Sequence, residues 1–145
     1  HYLFRIKHME PGDRVDFTSF SHMKMKEDAN ESDECEIGYF IEEDPDERGV
    51  YNLMRREQNR IDKDPGFGGK KLVLAPDVVA FHVEAWDELE KEWIKDWDTT
   101  QVERFEKLPK ILAITLTVKD ENDKEIPFYT KTQIMLNAPM DFNSL

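Results

Sequence analysis

The chain has 145 residues, 20 Lys plus Arg against 32 Asp plus Glu, and a formal charge of −12. A length of this order suits one domain, which buries about 70% of the surface its unfolded chain would expose. The acidity disfavours nucleic acid and anionic lipid as partners, because phosphate binding needs clustered Lys and Arg.

Taken in chain order, Tyr2, Phe4, Ile6 and His8 alternate with Leu3, Arg5 and Lys7, which predicts a strand over residues 2–9. Pro11 and Gly12 turn it into a second strand over 13–25, with Val15 and Phe17 on one face and Asp16, Thr18 and Phe20 on the other. Residues 26–34 are polar apart from Ala29 and read as a surface loop. "CEIGYFIEE", "DPDERG" and "VYNLMRREQ" then form strand, turn and strand over residues 35–58.

Pro65, Gly66, Gly68 and Gly69 mark another loop. "LVLAPDVVAFHVEAWD" resumes extended structure, with Pro76 as a strand entry, Val79, Phe81 and Val83 facing inward, and His82, Glu84 and Trp86 facing the other way. "EWIKDW" is its return arm, which places Trp93 and Trp97 on one face. Thr100 and Glu103 have capping-box spacing before Pro109, which predicts one short helix.

Residues 111–118 alternate once more, Asp120 to Glu125 interrupt, and Ile126 to Leu136 complete a C-terminal hairpin. Its arms are expected to extend and lock the sheet, leaving the turn free to meet partners. The fold expected is mainly β, with about eight strands in antiparallel sheets joined by hairpins, in a single domain over residues 1–145.

Little local chemistry emerges. Cys35 stands alone, which rules out an internal disulfide and a thiolate metal cluster within one chain. Its acidic neighbours Glu34 and Glu36 suit a small strand residue better than a nucleophile. Asp28, Asn30, Ser32 and Glu34 start like a calcium loop, but Asp33 stands where the turn glycine belongs and Tyr39 where the bidentate Glu belongs. The acidic loop 27–34 is therefore read as solvated, with calcium as the alternative. Asp120, Asn122 and Asp123 fit a turn.

"GFGGKK" at 66–71 lacks the Ser or Thr of a phosphate loop and reads as plain loop. His1, His8, His22 and His82 show no pairwise spacing that builds a zinc site or a Ser/His/Asp constellation. Trp86, Trp93 and Trp97 suit sugar stacking or, more commonly, cross-strand packing. No catalytic, cofactor-binding or metal-ligating residue is assigned, and no cofactor is expected. No apolar run approaches the roughly 20 residues that span a bilayer, and no signal-type apolar core is present. The chain starts at His1 directly in strand-like sequence, so an upstream segment is expected to have been removed or left out.

The order of "GDRVDFTSFSHMKM", "ESDECEIGYFIEEDPDERGVYNLMRRE", "LVLAPDVVAFHVEAWD" with "EWIKDWDT", and "LPKILAITLTV" resembles the periplasmic part of the J-type minor pseudopilin of bacterial type II secretion systems. The resemblance runs from about Gly12 to Leu136. It implies the β-rich head of an α+β pilin-like fold whose N-terminal helix is missing here, together with the cleavage site and the glutamate expected near the mature N-terminus. It further implies a precursor cut by a prepilin peptidase and anchored in the inner membrane, with its head in the periplasm. The implied role is non-enzymatic: with I-type and K-type minor pseudopilins the subunit forms a pseudopilus tip complex that primes fibre assembly, with secreted cargo as a further candidate contact. The rival readings are a minor pilin of a type IV pilus and a secreted carbohydrate-binding β-domain using Trp93 and Trp97.

Overall fold

A computed structural model describes residues 3–19, 35–59, 69–105 and 107–134. Among these residues ten strands form two antiparallel sheets, and one short 3-10 turn is the sole helical element. β1 (Phe4–Lys7), β2 (Arg14–Ser19), β3 (Cys35–Glu43), β4 (Tyr51–Gln58), β5 (Lys70–Ala75) and β8 (Trp97–Asp98) make the first sheet, in the order β5-β4-β3-β2-β1-β8. β6 (Val78–Asp87), β7 (Glu92–Ile94), β9 (Ile111–Lys119) and β10 (Glu125–Gln133) make the second, in the order β10-β9-β6-β7.

The core lies between the sheets, and each contributes equally. Phe4, Ile6, Val15, Leu53 and Trp97 come from the first sheet; Val78, Phe81, Val83, Ala85 and Leu112 come from the second. Strand periodicity explains the set, because alternate residues share a face. Fully burying a large apolar side chain stabilises by about 1.5–3 kcal/mol, so this seam holds the sheets together.

The turns follow the expected chemistry. Asp44 Oδ1 accepts hydrogen bonds from the backbone N–H of Asp46 and of Glu47, and Oδ2 accepts from the Asn52 amide, closing the β3–β4 hairpin. Those bonds, led by the one from Asn52, hold the Asp44 carboxyl below its ordinary pKa. Asp120 Oδ1 likewise accepts from Asn122 and Lys124 between β9 and β10, and Asp123 adopts φ 59°.

Several expectations need correction. Val78, not Val79, faces the core, because the β6–β9 register shifts between Val78 and Ala80. Leu72 to Ala75 do not run on into β6; they belong to β5, in the other sheet. The helix expected around Thr100 is only a 3-10 turn over Val102–Arg104. Thr100 does not cap it, because its Oγ1 bonds Asp98 Oδ1 at 2.5 Å. The C-terminal hairpin does extend its sheet, with β10 pairing β9 from Glu125 to Gln133, but eight of the nine residues of β10 are exposed and it forms an edge.

Candidate functional site

The β1–β2 connection runs alongside β6. Asp13 N–H donates to Phe81 O at 2.8 Å, Phe81 N–H donates to Pro11 O at 3.4 Å, and Gly12 forms a parallel bridge with Phe81. β7 covers β6 only from Ala85 to Asp87, which leaves the edge at Phe81 open to this loop. A Cβ on Gly12 would collide with the side chain of Ile41, so only glycine permits this close approach.

That docking places Asp13, 1% exposed, beneath two imidazoles. Asp13 Oδ2 accepts from Val83 N–H at 2.8 Å, and Oδ1 accepts from Met9 N–H at 3.0 Å. His8 Nδ1 lies 2.8 Å and His82 Nδ1 3.3 Å from the same Oδ1. An ionised carboxylate only accepts, so each imidazole carries its proton on Nδ1 and turns Nε2 outward. Outside sits Glu10: its Oε1 is 3.9 Å from His8 Nε2 and its Oε2 is 3.8 Å from His82 Nε2. The ring centres are 5.6 Å apart.

Sequence reasoning missed this cluster. Asp13 and His82 are 69 positions apart, and the Gly12–Phe81 bridge that joins them is not encoded by any local spacing. The available signal was weak: a Pro-Gly turn followed by an acid, and a histidine on the mixed face of an apolar strand.

A second polar cluster covers the outer face of the first sheet. Arg5, Asp16, Gly38 and Arg56 occupy one row across four strands. Arg56 pairs with Glu36 and reaches Asp16 Oδ1 at 3.4 Å. Arg14 Nε donates to Asp16 Oδ2 at 2.8 Å, and Arg5 approaches the same oxygen at 3.5 Å. Asp16, Glu36 and Arg56 are all nearly inaccessible. Gly38 makes room for them, since a Cβ there would lie 2.6 Å from Asp16 Oδ1.

The tryptophans are dispersed. Trp93 packs edge-on against Trp86 across β6 and β7. Trp97 lies in the other sheet, buried, with its Nε1–H donating to Lys107 O at 2.9 Å and Arg104 over its ring. Trp93 and Trp97 therefore do not share a face as expected, and the two do not combine into the sugar platform of the rival reading. Cys35 is the strand residue expected, and it is buried; burial first, then the charge of Glu57, raises its thiol pKa. The loop 27–34 and residues 66–68 of "GFGGKK" lie outside the described residues, while Lys70 and Lys71 open β5. An open groove of about 720 Å³ is lined by residues that include Arg5, Lys7, Arg14, Asp96 and Glu103, and none of the His8–Asp13–His82 set takes part.

Large apolar side chains remain exposed on two strands that end their sheets. Leu72, Val73 and Leu74 of β5 are 48%, 52% and 46% exposed, and Phe128 and Tyr129 of β10 are 55% and 63% exposed. Among the described residues no strand pairs beyond either edge.

No family model matches the chain, and no curated protein does. Among solved structures it is similar to a type IV-like pilin, TTHA1219 from Thermus thermophilus, at 15% identity and a TM-score of 0.45. That alignment covers 90% of this chain and 81% of the pilin.

Proposed function

We propose that this chain is the head of a minor pseudopilin of the J-type class, a non-enzymatic subunit that docks I-type and K-type partners at the tip of a type II secretion pseudopilus in the periplasm. The sequence resemblance from Gly12 to Leu136 suggests the class. The observation that carries the docking role is the pair of open, apolar-bearing edges at β5 and β10.

Soluble proteins usually blunt such edges, because an unpaired row of N–H and C=O groups recruits other chains. β5 carries Lys70 and Lys71 before three exposed apolar residues, whereas β10 carries an aromatic pair followed by Lys131. Two chemically different surfaces favour head-to-tail contacts between unlike subunits, which build fibres, over a self-complementary patch, which closes a dimer. Phe128 and Tyr129 supply the large rigid anchors that dominate interface energetics.

Co-expression with I-type and K-type minor pseudopilins tests the reading. The native chain is expected to co-purify with at least one of them, and Phe128→Glu/Tyr129→Lys is expected to lose it while keeping its melting temperature. Equal capture by the variant, or no capture by a folded native chain, would remove the proposal.

A further inference from the structure

Two features of the His8–Asp13–His82 cluster point the same way. Asp13 Oδ1 takes Met9 N–H and faces both imidazole Nδ1 atoms, while Oδ2 takes Val83 N–H. Each carboxylate oxygen has about two such positions, so Oδ1, the oxygen that faces the imidazoles, is fully used while they donate to it. Its effect is to favour the Nδ1–H tautomer of both rings and leave each Nε2 facing one oxygen of Glu10.

On that side stands the Glu10 carboxylate, with one oxygen toward each Nε2, at 3.9 and 3.8 Å. We infer that His8 Nε2, His82 Nε2 and Glu10 form a binding site for one divalent transition-metal ion of the zinc type, with Asp13 as the buried carboxylate that orients both imidazoles.

The distances suit this. Zn–N and Zn–O bonds are about 2.0–2.2 Å, so tetrahedral ligand atoms lie roughly 3.3 Å apart and two ligating imidazoles have ring centres roughly 5 Å apart. The observed ring separation is 5.6 Å. Glu10, whose side chain is 74% exposed, faces the two nitrogens with different oxygens at 3.9 and 3.8 Å, so holding one ion requires it to turn and to close by roughly half an ångström. Imidazole donors of the remaining ring N–H to a carboxylate are the recurrent support of metal-ligating histidines. Two nitrogens with one carboxylate favour zinc and its neighbours over calcium or magnesium, which take oxygen ligands.

The site also has a structural consequence. His8 and Glu10 follow β1 of the first sheet, whereas His82 lies on β6 of the second. An ion there would clamp the two sheets at the seam and stabilise the folded chain, because the unfolded chain lacks the assembled site.

The test uses the chain without an added histidine tag, titrated with Zn²⁺ by calorimetry in a non-chelating buffer, with calcium and magnesium as competitors. One ion per chain, a raised melting temperature and a zinc-induced shift of both Nε2 resonances by NMR are expected. His82→Gln and Glu10→Gln should each lower affinity at least about tenfold, and Asp13→Asn, acting through the imidazoles, by about 10–100-fold. His1→Gln/His22→Gln should leave it unchanged. Absence of saturable binding, equal affinity in folded His82→Gln, ligation through Nδ1, or full competition by calcium would each overturn the inference. Because Asp13→Asn can fail to fold, the variants of exposed Glu10 and half-buried His82 decide the outcome.

Discussion

Replacing Arg56 with methionine keeps the length of the aliphatic stem and removes the guanidinium from between two buried carboxylates. Asp16 retains Arg14 at 2.8 Å and Arg5 at 3.5 Å, so most of the loss falls on Glu36, whose side chain is 1% exposed. Breaking a buried pair from one side costs about 3–5 kcal/mol, because the remaining charge stays out of water. The surviving arginines on Asp16 place this variant near the lower end, about 3 kcal/mol. With a urea slope of about 1.5–2 kcal/mol per molar, the denaturation midpoint should fall by roughly 1.5–2 M. Glu36→Gln in the same background should restore part of the loss, since the two residues interact directly and their effects are not additive. An Arg56→Met loss under about 1 kcal/mol, or strict additivity with Glu36→Gln, would refute the idea that the pair is a desolvated, mutually dependent unit.

Other outcomes follow from the same geometry. Gly38→Ala places a Cβ against Asp16 Oδ1 and should destabilise by about 1–3 kcal/mol in the same urea assay, because the row above β3 must shift. Asp87 accepts from Arg104 at 2.7 Å and from the backbone N–H of Leu89 and Glu90, and these contacts, led by Arg104, hold its pKa below the ordinary value. Its contribution is therefore complete above the ordinary carboxylate range and is lost as pH falls through the folded value; melting temperatures of the native chain and of Asp87→Asn should differ at neutral pH and converge in acid. Cys35, buried and with a raised pKa, should resist a thiol reagent in the native state and react promptly in urea.

The parts of the fold legible from the residues are those set by local alternation. The β3–β4 hairpin, with its turn at Asp44, and the β9–β10 hairpin, with its turn at Asp120, follow from period-two patterning bounded by Asx residues. What was not legible depends on which sheet a strand joins. β7 and β8 are separated by two residues, yet Trp93 pairs with Trp86 while Trp97 pairs with Ile6, and no periodicity distinguishes those fates. The outer face of the first sheet was not legible for a different reason: Asp16 alternates outward, as charged residues on a half-solvated sheet do, but Arg5 from β1 and Arg56 from β4 join Arg14 of its own strand to bury it. His82 hid in the same way, on the mixed face of β6, where only the approach of Asp13 gives it significance.

The seam between the sheets is fastened by more than its apolar core. At one place the β1–β2 loop inserts Asp13 beside β6, with hydrogen bonds to Phe81 O from its N–H and from Val83 N–H to its carboxylate. At another, Arg104 lies over the Trp97 ring at 4.2 Å, on the first sheet, while its guanidinium pairs with Asp87 at the end of β6, on the second. Apolar contact is non-directional and would tolerate the sheets sliding past one another. Hydrogen bonds to a buried carboxylate and a paired, stacked guanidinium tolerate much less, since each demands a set distance and angle. The β5 and β10 edges belong to different sheets, so their relative placement is only as fixed as this seam. If the chain docks two neighbours as proposed, that rigidity keeps both contacts in register at once, and a loss of the polar fastenings should weaken paired docking before it abolishes either contact alone.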